Sequence, residues 1–198
     1  MTIDPADAPD VEFPRLKKSV VEVWRNAPEH VTVEILDGEA VMMARPRTTH
    51  ARAAGELHAE LRNPFDRGRG GPGGWIFLLE PELHLGAGPD IVVPDIAGWR
   101  RERMPALPDV AALTLAPDWV CEALSDSTEA VDRGRKMRIY RREGVGHLWF
   151  VDTRAKVLEV WRNVDGRWHE VDSFEGDGRV RATPFDAVEL DLAALWAP

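Results

Sequence analysis

The chain is poor in cysteine, in positive charge and in long apolar runs. Its single cysteine, Cys121, excludes an internal disulfide and any zinc cluster built from several thiolates. No apolar run approaches the ~20 residues that a membrane helix needs. The N-terminal MTIDPADAPDVEF is acidic and proline-rich. It lacks the basic start and apolar stretch of a signal peptide, so a cytoplasmic protein is expected. Against 34 Asp and Glu stand 25 Lys and Arg, a formal net charge of -9. That deficit weighs against tight, non-specific nucleic-acid binding, because phosphate contacts need Lys and Arg. Charge can still be local: Arg100, Arg101 and Arg103 form one basic cluster, and Arg133 to Arg142 hold another. For any one of these arginines a solvated face is the simpler reading.

What remains is ordinary for a globular protein: 198 residues, 44% hydrophobic and 30% charged, enough for one sizeable core. Residues 1–14 read as a flexible tail and 15–198 as a single domain. Ser19 and Glu22 have the spacing of a capping box and open a short helix through Trp24. VTVEI and EAVMMA flank Asp37-Gly38, a hairpin signal. Thr48 or Thr49 can cap a helix to about Arg62, with Ala54, Leu57 and Leu61 as its buried stripe. Asn63 to Gly74 reads as loop. Its glycines do not make a phosphate-binding loop, since no strand feeds it and no Gly-Lys-Ser follows. WIFLLEPELHL reads as one strand and IVVPDIAGW as another, with Pro94 marking a bulge or bend. DWVCEAL is a third. Ser127 or Thr128 starts a helix to about Glu143, capped by Gly144. HLWFVD is a fourth strand, a hairpin turns at Asp165-Gly166, and DLAALW closes the chain as a helical turn. The order predicts an α/β domain, a mixed sheet flanked by helices with hairpins added at both ends.

Two carboxylates break the apolar pattern. Asp95 and Glu122 each sit in a hydrophobic strand, where an ionised acid needs a partner. Either one alone is explained by a helix cap or an arginine. Two on neighbouring strands can hold a divalent cation, which offsets their repulsion. Lys136, on the helix after the Glu122 strand, can orient a water or balance a phosphate. Asp132, Lys136 and Tyr140 lie at i, i+4 and i+8, and spacing alone favours a surface ion pair for the first two. Glu80, Glu82 and His84 share one strand face, by default exposed. Glu56 and Glu60 lie on the first long helix, again by default in solvent. His50 is a capping residue or reaches substrate. Cys121 faces away from Glu122 and belongs to the core.

VVPDIAGW, then APDWVCEALSDST, DRGRKMRIYRREGVGHLWFVD and KVLEVWR, in that order, resemble the Uma-two family of endonucleases, within the PD-(D/E)XK nuclease superfamily. The match runs from about Gly38 to Trp196. The resemblance implies a restriction-endonuclease-like fold, a Mg²⁺ (or Mn²⁺) site and hydrolysis of DNA. Asp95 falls on the family's Pro-Asp motif and Glu122 on the acidic motif that follows. Leu124 stands where the superfamily usually has its lysine, and the resemblance implies that Lys136 replaces it. Glu82 matches a position that commonly carries an acid, which makes it a third metal ligand. Glu56 and His50 are accessory candidates. Arg100, Arg133 and Arg135 are the expected substrate-binding residues. The chain departs from the family at ARPRTTH and at Ser-Asp-Ser-Thr, positions that bear on substrate contacts. A homodimer suits two-strand cleavage. Two other functions fit the same residues: a catalytically silent nuclease-fold binding or assembly module, and a metal-dependent hydrolase of RNA or small phosphate esters.

Overall fold

The computed structural model describes residues 17–28, 31–43 and 47–197, so the expected tail over 1–14 lies outside the described residues. Among these residues no helix is long and apolar enough to cross a membrane.

The centre is a six-stranded mixed sheet. Its strands are β3 (Trp75–Leu79), β6 (Ile96–Arg100), β7 (Trp119–Ala123), β8 (His147–Asp152), β9 (Val157–Val164) and β10 (Arg167–Glu175). The spatial order is β10-β9-β8-β7-β6-β3. Only β7 and β8 run parallel, because a helical crossover joins them. A second sheet, β2-β1-β5-β4, is built from β1 (Thr32–Leu36), β2 (Glu39–Met43), β4 (Leu83–Leu85) and β5 (Asp90–Val92). Short β11 (Arg179–Val180) and β12 (Leu190–Asp191) pair near the C-terminus. Asp37-Gly38 and Asp165-Gly166 make both expected hairpin turns, with φ of 53° and 77°, and of 50° and 72°.

Alternation along the central strands divides the core. Trp75, Phe77, Trp119, Cys121 and Trp149 face α2 (Thr48–Leu61) and α5 (Leu192–Trp196). Ile76, Ala97, Trp99, Val120 and Phe150 face α4 (Met137–Arg142) and the second sheet. Each of the larger of these side chains contributes roughly 1.5–3 kcal/mol by leaving water. The short α1 (Lys18–Arg25) covers Ile35 and Ile91 from outside.

Several local readings need correction. WIFLLEPELHL is two strands in two sheets. Glu80 adopts φ 46°, Pro81 cannot donate to a ladder, and Leu79 is exposed. IVVPDIAGW also passes from one sheet to the other at Pro94, so Asp95 lies in the bend just before β6 rather than inside a strand. Part of the expected loop is helical: α2 runs into a π turn at Arg62–Asp66. Lys17, not Ser19, holds the first N-cap, and Arg47, not a threonine, holds the N-cap of α2; neither makes a side-chain cap. The helix after β7 contains α3 (Glu129–Val131), a π turn at Asp132–Lys136, then α4. Gly144 ends it with φ 78°.

Candidate active site

The bend at Pro94 and the middle of β7 bring two acids together. Ile96 pairs with Cys121 in antiparallel register, which sets Asp95 beside Glu122. Asp95 Oδ2 accepts the Ala123 N–H at 2.7 Å, and Oδ1 lies 2.7 Å from Nε2 of the buried His50, on the first turn of α2. Glu122 is buried on the opposite face of β7 from Cys121, as the strand alternation requires. Its Oε1 accepts the Tyr140 hydroxyl at 2.5 Å and lies 2.8 Å from Lys136 Nζ.

Lys136 is the hub. Its ammonium also lies 3.3 Å from Glu34 Oε1, 3.5 Å from Asp132 Oδ1 and 3.3 Å from the Val93 carbonyl. The expected surface ion pair is therefore a buried one, with side chains only 2% and 3% exposed. The π turn carries both residues, a helical irregularity often found at functional sites. Glu34 arrives from β1 in the second sheet, and its Oε1 also accepts the Val93 N–H at 2.7 Å. Its other oxygen, Oε2, is buried without a hydrogen-bond partner among the described residues. A cavity of about 80 Å³ opens among these groups and is lined also by Glu80, Ser125 and Thr128.

Burial dominates the electrostatics. It pushes the Glu122 carboxyl well above its ordinary range, against the pull of Lys136, and the neighbouring acids push the same way. Glu34 and Asp132 are raised for the same reason, again countered by Lys136. Burial alone would lower Lys136, but Glu122 and Glu34 hold it charged, well above its usual value. Burial also depresses His50, and the Asp95 carboxylate outweighs it, leaving the imidazole raised. Tyr140 is raised by burial and by Glu122, and stays a neutral donor.

Five carboxylates, Glu34, Glu80, Asp95, Glu122 and Asp132, thus line one cavity against Lys136 and His50. The donors are hard oxygens in excess of the local positive charge, and one buried oxygen has no hydrogen-bond partner among the described residues. That chemistry fits magnesium or manganese. Among the described residues no group of three or more His, Cys, Asp or Glu is arranged to hold a metal ion. Magnesium does not require one, since it commonly takes one or two carboxylates and keeps water. Asp95 and Glu122 are the pair that could hold such an ion.

Other expected residues fall elsewhere. Glu82 pairs with the buried His84 at 2.8 Å, outside the cavity, and Glu80 lines it instead, because the chain turns at Glu80. Glu56 faces Arg52 at 3.6 Å on the surface of α2. Arg100 stacks over Trp75 at the far end of β6. Arg133 is clamped by Glu129 and Glu159, and Arg135 pairs with Glu39 at 2.8 Å. Sequence reasoning missed Glu34 and the contact of Tyr140. The i, i+4, i+8 row was a usable signal for Tyr140. Glu34 carried none, since one acid in VTVEI reads as the wet face of a strand.

A mixed sheet with one acid on β7 and another in the bend just before the neighbouring β6, backed by a lysine from the following helix, defines a restriction-endonuclease-like α/β protein. The family model Uma2, described as "Putative restriction endonuclease", matches residues 13–193. The chain belongs to this family. A crystal structure of "a putative nuclease belonging to DUF820 from Anabaena variabilis ATCC 29413" is similar, with a TM-score of 0.71 and 18% identity. The similarity covers 90% of this chain and 97% of that one, and it shows a common fold. Among curated proteins nothing matches the chain.

Proposed function

We propose that the protein is a Mg²⁺-dependent endonuclease that hydrolyses phosphodiester bonds in DNA. The observation that carries this is the acid pair of half-buried Asp95 and buried Glu122, with Lys136 2.8 Å from the second of them, all lining one cavity. Family membership supports nuclease action. Asp95 and Glu122 would hold the cation. Bound there, it would polarise the scissile phosphate and acidify a water. His50 keeps Asp95 oriented through Oδ1, while the Ala123 N–H fixes Oδ2. Lys136 keeps its ammonium charged beside the site, where it stabilises negative charge developing on the phosphate.

One observation favours a rival, the catalytically silent module. Arg133 and Arg135 are neutralised by acids of the chain itself, so the expected phosphate contacts are spent internally. Cleavage of supercoiled plasmid DNA with Mg²⁺ or Mn²⁺ decides between them. The endonuclease reading expects cleavage that falls about a hundredfold or more in Asp95→Asn and in Glu122→Gln. Cleavage surviving in both variants, or none in the native protein, contradicts it. RNA and small phosphodiesters tested in parallel define the substrate class. The outer strands β2 and β10 are where a second copy would pair in a homodimer, which analytical ultracentrifugation tests.

A further inference from the structure

The buried ammonium of Lys136 creates a difficulty for cation binding. Its shortest contact is with Glu122 Oε1, at 2.8 Å. A cation taking charge from Glu122 weakens that contact, and a buried ammonium stripped of its partner is expensive. The structure supplies an alternative partner on the other side. Glu34 Oε1 already lies 3.3 Å from Lys136 Nζ, and Glu34 Oε2 is buried with no hydrogen-bond partner among the described residues. Glu34 itself cannot drift, because the Val93 N–H holds Oε1 at 2.7 Å. That bond also ties β1 to the segment leading into Asp95. Asp132, at 3.5 Å, is the weaker candidate. It is also engaged by the Thr128 side chain.

We propose that Glu34 is a positioning residue that takes over Lys136 when Glu122 turns its charge to a cation. This rests on the reading of Asp95 and Glu122 as a cation site. In the resting protein Lys136 is shared between Glu122 and Glu34. On loading, the ammonium shifts toward Glu34, whose free oxygen completes the new pair. The site therefore exchanges one positive charge for another at Glu122 without leaving Lys136 unpaired. Lys136 stays beside the cavity, where the phosphate arrives. Glu34 is thus the contribution of the second sheet to a site otherwise built on the first.

Calorimetric titration with Mn²⁺ alone, on the native protein and variants, tests this without any substrate. Glu34→Gln keeps the acceptor for Val93 but removes the charge, and is expected to weaken Mn²⁺ binding about tenfold or more. Glu34→Asp keeps a carboxylate within reach of the flexible lysine, and is expected to stay within roughly threefold of native. In a Lys136→Met background the Glu34→Gln effect is expected to vanish, since the two residues act through each other. Native affinity in Glu34→Gln overturns the inference while leaving the cation site standing. An undiminished effect in the Lys136→Met background overturns it too, by making Glu34 a direct ligand. Should that background not fold, the Glu34→Asp result decides alone: a loss as large as that of Glu34→Gln overturns the inference. Absence of Mn²⁺ binding by the native protein overturns the cation reading itself, and the inference with it.

Discussion

A carboxylate buried as deeply as Glu122 persists only with donors around it. Here two donors share one oxygen, the Tyr140 hydroxyl and the Lys136 ammonium. Tyr140 is the only tyrosine in the chain and is fully buried. Tyr140→Phe removes one hydroxyl and nothing else. It is expected to lower stability by about 1–3 kcal/mol, through the lost bond to a buried charge. It is also expected to weaken Mn²⁺ binding about tenfold, because Glu122, the proposed ligand, loses its orientation. Chemical denaturation and calorimetry check the two halves separately. Far from the site, burial pushes His147 down to about 4, aided by Arg162 and Arg100. A value lowered on folding means that the neutral form stabilises the fold. That contribution is complete above the ordinary value of 6.5 and is lost as pH falls through about 4. Melting temperatures between pH ~7 and ~4 should therefore fall less in His147→Gln than in the native protein. An equal fall in both contradicts the assignment.

At the scale of elements, the site depends on irregularities. Pro94 breaks a strand and leaves Asp95 in the resulting bend. The positive φ at Glu80 sends the chain to the second sheet and turns that acid toward the cavity. The π turn delivers Asp132 and Lys136. Strand and helix identities were legible because short apolar runs mark β7 and β8, alternation marks β9 and helical spacing marks α2. Asp95 and Glu122 stood out because an acid in an apolar run breaks a pattern, whereas Lys136 stood out only through the family resemblance, its spacing alone favouring a surface ion pair. Which sheet each half of WIFLLEPELHL joins was not legible, because both halves satisfy the same local alternation. Glu34 was hidden for a related reason: only the packing of one sheet on another makes its face an interior one. The close approach at Gly98 on β6 tests how tightly this scaffold sets the site. A Cβ there would meet Phe77 at 2.9 Å and Trp119 at 3.2 Å. Gly98→Ala is expected to cost about 1–3 kcal/mol by overpacking, read from the denaturant midpoint. An unchanged midpoint would show that these rings yield.

At the scale of the whole molecule, a net charge of -9 leaves little non-specific attraction for a polyanion. The basic run after β7 is largely paired with acids of the same chain: Arg133 with Glu159, Arg135 with Glu39, Arg138 with Asp37, and Arg142 with Asp90. These pairs fasten the helix to the first hairpin and to the sheets, which is where that charge goes. DNA binding is therefore expected to be weak and to involve few phosphates. The slope of log affinity against log salt, about 0.9 per phosphate, measures that number directly. A steep slope of about eight or more would reveal a basic surface that these pairings do not leave open.

The central claim is that a cation sits between the bend before β6 and the middle of β7. Crystals soaked in Mn²⁺ and measured for anomalous scattering test it most directly. The account predicts a peak bridging Asp95 and Glu122, absent in Asp95→Asn crystals treated alike. Peaks only elsewhere, or none in the native protein, would contradict it.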